Sequence, residues 1–213
     1  MHNWRFDGPP VLFPREAVPG PSSPDGAAIG EQATRYFFSG DPWLYATEGD
    51  SRLHMLVQAR TAGSDGSALG AIAHTSTGDL LHFEAPRLLA APCMATRMET
   101  PQLFSKNGRW YLLASSSDAL LHQRFLAARG LKSLNAAAVV FTADNAGGPY
   151  ELIGEWALFP GEGCYICKVV PEADSILTIR ATATQYPPRH GETGISPPIP
   201  ISYPAEGGIR IMA

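Results

Sequence analysis

The sequence predicts an all-β fold made of repeated antiparallel sheets, of the β-propeller type. A unit of acid, short strand, tight turn and longer strand starts at Asp41 and again at Glu99, a repeat of roughly 58 residues that suits a propeller blade with a long loop. The second unit turns at Asn107-Gly108, and Asn-Gly is a strong β-hairpin signal. The 19 prolines and 21 glycines follow no collagen-like period, which is typical of short strands joined by turns.

The first unit follows a connection, residues 1–36, that is rich in Pro, Gly and Ser. Four strands are predicted in this unit, near 41–46, 52–60, 69–76 and 80–84. The second strand alternates between two faces that are both partly apolar, from Leu53 to Arg60. A strand enclosed between neighbouring sheets has this pattern.

The second and third units are predicted in the same way. Strands of the second unit are predicted near 101–105, 109–115, 136–142 and 150–153, with a short helix over 118–130. Strands of the third are predicted near 164–170 and 175–183, and its proline-rich tail, 195–201, is predicted to be an edge strand. The predicted propeller domain is therefore 37–213, with blades at about 37–85, 99–153 and 163–205.

Composition and charge exclude several classes of function. The formal net charge is −4 and the Lys and Arg residues are not clustered, so we expect neither nucleic acid nor an anionic membrane as a partner. No apolar run reaches the ~20 residues of a membrane span, and no apolar signal segment follows the first residues, which predicts a soluble, cytoplasmic protein. Three cysteines give no disulfide framework, and the Cys164/Cys167 pair has no second pair to complete a metal site. We expect no cofactor and no metal.

Five segments together resemble the central part of glycoside hydrolase family 32, the invertase, inulinase and levanase type of fructofuranosidase. They are GDP (40–42), HMLVQAR (54–60), GAIAHTS (70–76), DLLHFE (79–84) and ETPQLF (99–104). The resemblance implies a five-bladed propeller in which Asp41 is the transition-state stabiliser and Glu99 the general acid/base. Gly40 stands where the family has a substrate-binding Arg, and Thr100 where it has a Cys.

The resemblance also implies a nucleophilic Asp in an Asn-Asp-Pro-Asn-Gly type of motif in the first blade. The sequence has no such motif, and Asp7 and Asp25 are the only other aspartates before Asp41. The 213 residues are fewer than the roughly 250 that five blades of this size require, so we expect an incomplete propeller. A retaining mechanism needs its nucleophile, so this chain alone is expected to be inactive.

Four further residues are candidates for substrate binding: Trp43, Arg60, Arg97 and Trp110. The two tryptophans are also candidates for packing between blades, and Asp41 and Glu99 could each cap a turn. Three functions stay open: part of a fructosyl glycoside hydrolase, a non-hydrolytic carbohydrate-binding propeller, or an interaction module without a sugar site. A small carbohydrate is the expected partner if the protein has either of the first two functions. The sequence does not indicate an oligomeric state.

Overall fold

Three antiparallel sheets follow one another along the chain, which confirms the predicted all-β fold. The computed structural model describes residues 36–62, 68–90, 95, 97–116, 138–157, 164–180, 194–205 and 207–212. Residues 1–35 of the predicted N-terminal connection, the helix over 118–130, and Cys93 lie outside the described residues. Within them, no helix is long and apolar enough to cross a bilayer, and no group of three or more His, Cys, Asp and Glu side chains is placed to hold a metal ion.

The first sheet has four strands in chain order: β1 (Tyr36–Tyr45), β2 (Leu53–Ala62), β3 (Ala68–Thr77) and β4 (Arg87–Ala90). The fourth strand was predicted at 80–84, and this is wrong. The Asp79 carboxylate accepts hydrogen bonds from the backbone N–H groups of Leu81 and His82, at 2.9 and 2.8 Å, and Leu80 has a φ of 67°. These contacts form a turn, so the strand begins only at Arg87.

The second sheet is β5 (Glu99–Lys106), β6 (Arg109–Ser115), β7 (Ala138–Ala143) and β8 (Glu151–Ala157), also in chain order. The predicted Asn-Gly hairpin joins its first two strands. Asn107 and Gly108 have φ values of 53° and 74°, as a type I′ turn requires at its two central positions.

The third sheet contains β9 (Cys164–Val170), β10 (Ser175–Arg180), β11 (Gly194–Ile195), β12 (Ile199–Ser202) and β13 (Arg210–Ile211). The prediction of an edge strand at 195–201 agrees with β11, which pairs only with β10 among the described residues, and is wrong for β12, which has a strand on each side. β11 and β12 pair one after the other with the same side of β10, and β13 pairs with the outer side of β12. Pro197 and Pro198 lie in the gap between β11 and β12, where they interrupt the ladder, and Pro200 lies within β12, opposite Ser175.

The sheets pack face to face, and the second lies between the other two. One buried cluster joins the first and second sheets and includes Leu56, Ile72, Leu112 and Phe141. Another joins the second and third and includes Tyr111, Val140, Ile176 and Ile201. Because neighbouring residues of β6 contribute to different clusters, this strand is enclosed on both faces, as the continuous apolar run 111–114 indicates.

Candidate functional site

The innermost strands of the first two sheets carry the same bulge. In β1, Asp41 and Pro42 lie between the pairs Gly40–Gln58 and Trp43–Leu56, so two residues face one on β2. In β5, the residues at 100 and 101 lie between Glu99–Ser115 and Gln102–Leu113 in the same arrangement. The bulges therefore match position for position, and each ends in a proline.

Both bulges hold a residue in the left-handed backbone region. Asp41 has a φ of 53° and Thr100 a φ of 48°. Asp tolerates this conformation, but a β-branched Thr does so only with strain of about 1–3 kcal/mol. Strain of this kind collects at functional sites, so its presence at matched positions of two strands indicates a site where the strands meet.

The two acids do not occupy matched positions, although the sequence predicted that both begin an inner strand. Glu99 is the first residue of β5, but Asp41 lies in the middle of β1. By register, Asp41 corresponds to Thr100, and Glu99 corresponds to Gly40. The prediction fails for Asp41 because β1 begins at Tyr36, five residues upstream of it.

Asp41 nevertheless approaches Glu99 across the sheets. Its Oδ2 accepts a hydrogen bond of 3.2 Å from the backbone N–H of Thr100, the residue after Glu99. Standard bond lengths then keep the Glu99 carboxyl within about 10 Å of that oxygen. The side chain of Asp41 is exposed, so its remaining lone pairs are open to a ligand.

Glu99 is the more enclosed of the two acids. Its side chain is 14% exposed and its Oε1 lies 3.4 Å from Nη1 of Arg97, which is 50% exposed. The backbone before Glu99 is held against the first sheet: Gly70 donates a 2.7 Å hydrogen bond to the carbonyl of Ala95. A Cβ at Gly70 would lie 2.7 Å from backbone atoms of both Arg97 and Met98, so only glycine permits this approach.

Lys168, on β9, brings a cation to the same place from the third sheet. Its Nζ donates to the backbone carbonyls of Thr100 and Pro101, at 2.8 and 2.9 Å, and lies 4.8 Å from the ring centre of Trp43. Burial lowers the pKa of Lys168 to about 8, and the negative charges of Asp41 and then Cys167 act in the opposite direction. Lys168 is therefore a partly buried ammonium held at the bulge of β5.

A polar network fastens the third sheet to the second at this point. Ser115 Oγ accepts hydrogen bonds from Thr100 Oγ1 at 2.9 Å and from the backbone N–H of Cys167 at 3.2 Å. The buried amide of Gln102 donates to the carbonyl of Val169 at 2.7 Å and accepts from its N–H at 2.8 Å. The strained bulge of β5 is thus held from three directions, by Asp41, by Ser115 and by Lys168.

The four residues predicted to bind substrate fall in different places. Trp43 and Arg97 lie beside the acids, and Trp43 also donates a 3.2 Å hydrogen bond to the carbonyl of Leu103. Arg60 lies on β2, opposite Gly70 of β3 in the strand register. Its Nε is buried and has no hydrogen-bond partner among the described residues. Trp110 lies near the opposite end of β6 from Ser115, about 17 Å along the strand. Trp110 packs against the apolar cluster between the first two sheets and is not brought to the acids.

Several residues of the site were not predicted: Thr100, Gln102, Ser115 and Lys168. A lysine between apolar residues in the run CYICKVV was a signal that could have pointed to one of them, because a buried strand seldom carries an unpaired charge. The other three are ordinary polar residues in a strand sequence. Their roles depend on contacts between strands 52 to 67 residues apart, which local patterns do not reveal.

A second group of titratable side chains lies away from this site, near the turn between β1 and β2. Nδ1 of His54 lies 3.1 Å from Nε2 of His74, and Nε2 of His54 lies 3.0 Å from a carboxylate oxygen of Asp50. Burial, followed by the positive charge of Arg87, lowers the pKa of His74 to about 4. His74 is thus neutral at physiological pH and fits a structural hydrogen-bonded pair.

Comparison with known proteins gives matches of structure. No family model and no curated protein matches the sequence. An inulosucrase from Halalkalicoccus jeotgali bound to kestose is similar with a TM-score of 0.61 and 18% identity, over 84% of this chain and 50% of that one. A levansucrase from Gluconacetobacter diazotrophicus gives a TM-score of 0.60 and 11% identity, over 85% and 44%. The catalytic domain of a β-fructofuranosidase from Microbacterium saccharophilum gives 0.58 and 13%, over 85% and 46%.

These matches confirm the predicted fold class, because the similar structures are β-propeller glycosidases and transferases. At such low identity the likeness concerns the fold alone. The chain spans half or less of the length of each of these structures.

Proposed function

We propose that this chain is part of a glycosidase-type propeller, of the family 32 kind, that binds fructosyl-type sugars at Asp41 and Glu99. The contact between the Asp41 carboxylate and the peptide next to Glu99 is the observation that carries the proposal. Two acids from different sheets converge there on a bulge that is held under strain. The matched structures agree with this choice of sugar, since their names describe enzymes of fructosyl sugars and one contains kestose.

In this proposal, Asp41 binds sugar hydroxyls and stabilises the transition state. A carboxylate has about four lone-pair positions, so an oxygen that accepts the Thr100 N–H leaves capacity for two ligand hydroxyls. Hydrogen bonds from the hydroxyls strengthen as the sugar ring gains oxocarbenium character. Glu99 would protonate the leaving group as general acid, from a position largely shielded from water.

Asp41→Asn is expected to weaken kestose binding by tenfold or more, because a hydrogen bond to a charged group contributes about 1.5–3 kcal/mol. The melting temperature should change little, since the asparagine carbonyl can still accept from the Thr100 N–H. Isothermal titration calorimetry and thermal denaturation measure the two effects. Asp144→Asn, in an exposed turn after β7, is the matched control and should alter neither. If Asp41→Asn unfolds the protein without a specific effect on the ligand, Asp41 is a turn cap and the proposed site is wrong.

The alternative function is carbohydrate binding without hydrolysis, and it is favoured by the lack of an Asn-Asp-Pro type of motif in the sequence. We expect the 213-residue chain to release negligible reducing sugar from sucrose, inulin or levan, because the covalent step has no nucleophile. A reducing-sugar assay on the chain and on Glu99→Gln tests this. Robust turnover that Glu99→Gln abolishes would contradict it, and would mean that Asp7, Asp25 or another subunit supplies the carboxylate.

A further inference from the structure

Among the described contacts, one N–H donor of the Lys168 ammonium has no acceptor at the proposed sugar site. An ammonium carries three donors, and the carbonyls of Thr100 and Pro101 take two of them. The ring of Trp43 attracts the charge through its π face and supplies no lone-pair acceptor. No third acceptor for Lys168 is found among the described residues.

Asp41 is the charged group that faces Lys168 from β1. Its carboxylate is close enough to act on the ammonium electrostatically, yet the two form no direct ion pair among the described side chains. Asp41 also has lone pairs left after its bond to Thr100. A donor and an acceptor that lie near each other without contact leave a place for a group that can accept and donate at once, and a sugar hydroxyl is such a group.

We propose that Lys168 and Asp41 bind one ligand hydroxyl between them, with the ammonium donating a hydrogen bond to the hydroxyl oxygen and the carboxylate accepting a hydrogen bond from the hydroxyl. This inference rests on the proposed sugar site and adds a specificity-determining residue to it. Lys168 then supplies, from the third sheet, a cationic donor that Gly40 cannot supply from the first. The ligand class is a polyol or sugar. A deoxy group at that position would lose both hydrogen bonds, and an ether oxygen would keep only the one from the ammonium.

A purely structural role for Lys168 makes a different prediction about pH. A neutral amine has two hydrogens, which suffice for the two carbonyls, so the bulge of β5 can be held without the charge. The ligand contact needs the third hydrogen, which only the ammonium has. With a pKa of about 8, Lys168 loses that hydrogen as the pH rises from 7 to 9. The groups that bear on this titration are Asp41 on β1 and the Cys167 thiol on β9, while β5 contributes backbone carbonyls.

The test measures kestose binding by isothermal titration calorimetry from pH 6.5 to 9.5, in the wild type and in Lys168→Arg, Lys168→Met, Asp41→Asn and Cys167→Ala. We expect wild-type affinity to fall as the pH rises through about 8, by roughly tenfold at pH 9, where about a tenth of Lys168 remains protonated. Lys168→Arg should bind with little pH dependence, because its charge persists. Lys168→Met should bind weakly at every pH. Cys167→Ala should keep the fall in affinity but move its midpoint to slightly lower pH, because a negative charge that raises the pKa of Lys168 is removed.

The possible outcomes separate this inference from the proposed function. If Lys168→Met and Lys168→Arg retain the affinity and pH profile of the wild type while Asp41→Asn loses binding, the sugar site stands and the role of Lys168 is wrong. A wild type that fails to bind kestose at every pH refutes the sugar site and this inference together. If Lys168→Met does not fold, Lys168→Arg decides: an unchanged fall in affinity near pH 8 overturns the proposal, and loss of that fall supports it.

Discussion

Replacing Gly70 with alanine is expected to lower the free energy of unfolding by about 3 kcal/mol, the upper part of the range for overpacking a rigid interior. The added methyl would lie 2.7 Å from the backbone carbon of Arg97 and the backbone nitrogen of Met98. Neither atom belongs to a flexible side chain, so the strand β3 and the segment before β5 must separate. That movement also strains the 2.7 Å hydrogen bond from Gly70 to Ala95 and displaces the backbone that leads to Glu99.

Chemical denaturation of Gly70→Ala beside Gly78→Ala measures this effect. A Cβ added at Gly78 would enter open space, with no heavy atom within 4 Å, so alanine there should leave the midpoint almost unchanged. A Gly70→Ala protein as stable as the Gly78→Ala control would show that Arg97 and Met98 do not lie against β3. The proposed position of Glu99 would then lose its support.

Replacing Gln102 with leucine is expected to cost about 4 kcal/mol of stability. Its amide satisfies both the N–H and the carbonyl of Val169, at 2.8 and 2.7 Å, and all these groups are buried. Leucine fills a similar volume but leaves two buried backbone groups without partners, and each such group costs about 1–3 kcal/mol. The change acts between the second and third sheets, next to the contacts that Lys168 makes with β5.

Ser105→Ala is the control for Gln102→Leu, because Ser105 lies on the same strand with an exposed side chain. Urea unfolding should shift its midpoint by much less than that of Gln102→Leu. An equal and small effect of both variants would mean that the amide of Gln102 does not join the two sheets.

The sequence predicted those parts of the fold that depend on residues close to one another along the chain. Asn107 and Gly108 adopt the turn that their backbone preferences favour, and the run from Leu53 alternates along β2 as expected. The prediction of a strand at 80–84 was wrong for a reason that is also local in the sequence. The Asp79 carboxylate accepts hydrogen bonds from the N–H groups of Leu81 and His82, and these contacts form a turn. The prediction of an edge at 195–201 failed for β12. Two of its three prolines lie in the gap between β11 and β12, and Pro200 lies within β12, opposite Ser175.

The candidate site was predicted in part. The tripeptides around Asp41 and Glu99 indicated the acids, but their relation depends on bulges that local alternation does not fix. Lys168, Gln102 and Ser115 make their contacts between β5, β6 and β9 only after the second and third sheets have packed together. Contacts of that kind have no periodic signature in a single sequence, so the residues that hold the bulge of β5 could be recognised only from the structure.

The matched bulges of β1 and β5 bear on the history of the chain. Two adjacent sheets with the same irregularity at the same register, each closed by a proline, have the form of a duplicated blade. The two sheets differ at the two positions that hold the proposed acids: the first has an acid at the bulge and a glycine before it, and the second has a threonine at the bulge and an acid before it. In the proposed site, two equivalent backbone bulges thus carry their acids at different positions, so the two carboxylates reach the ligand from different sheets.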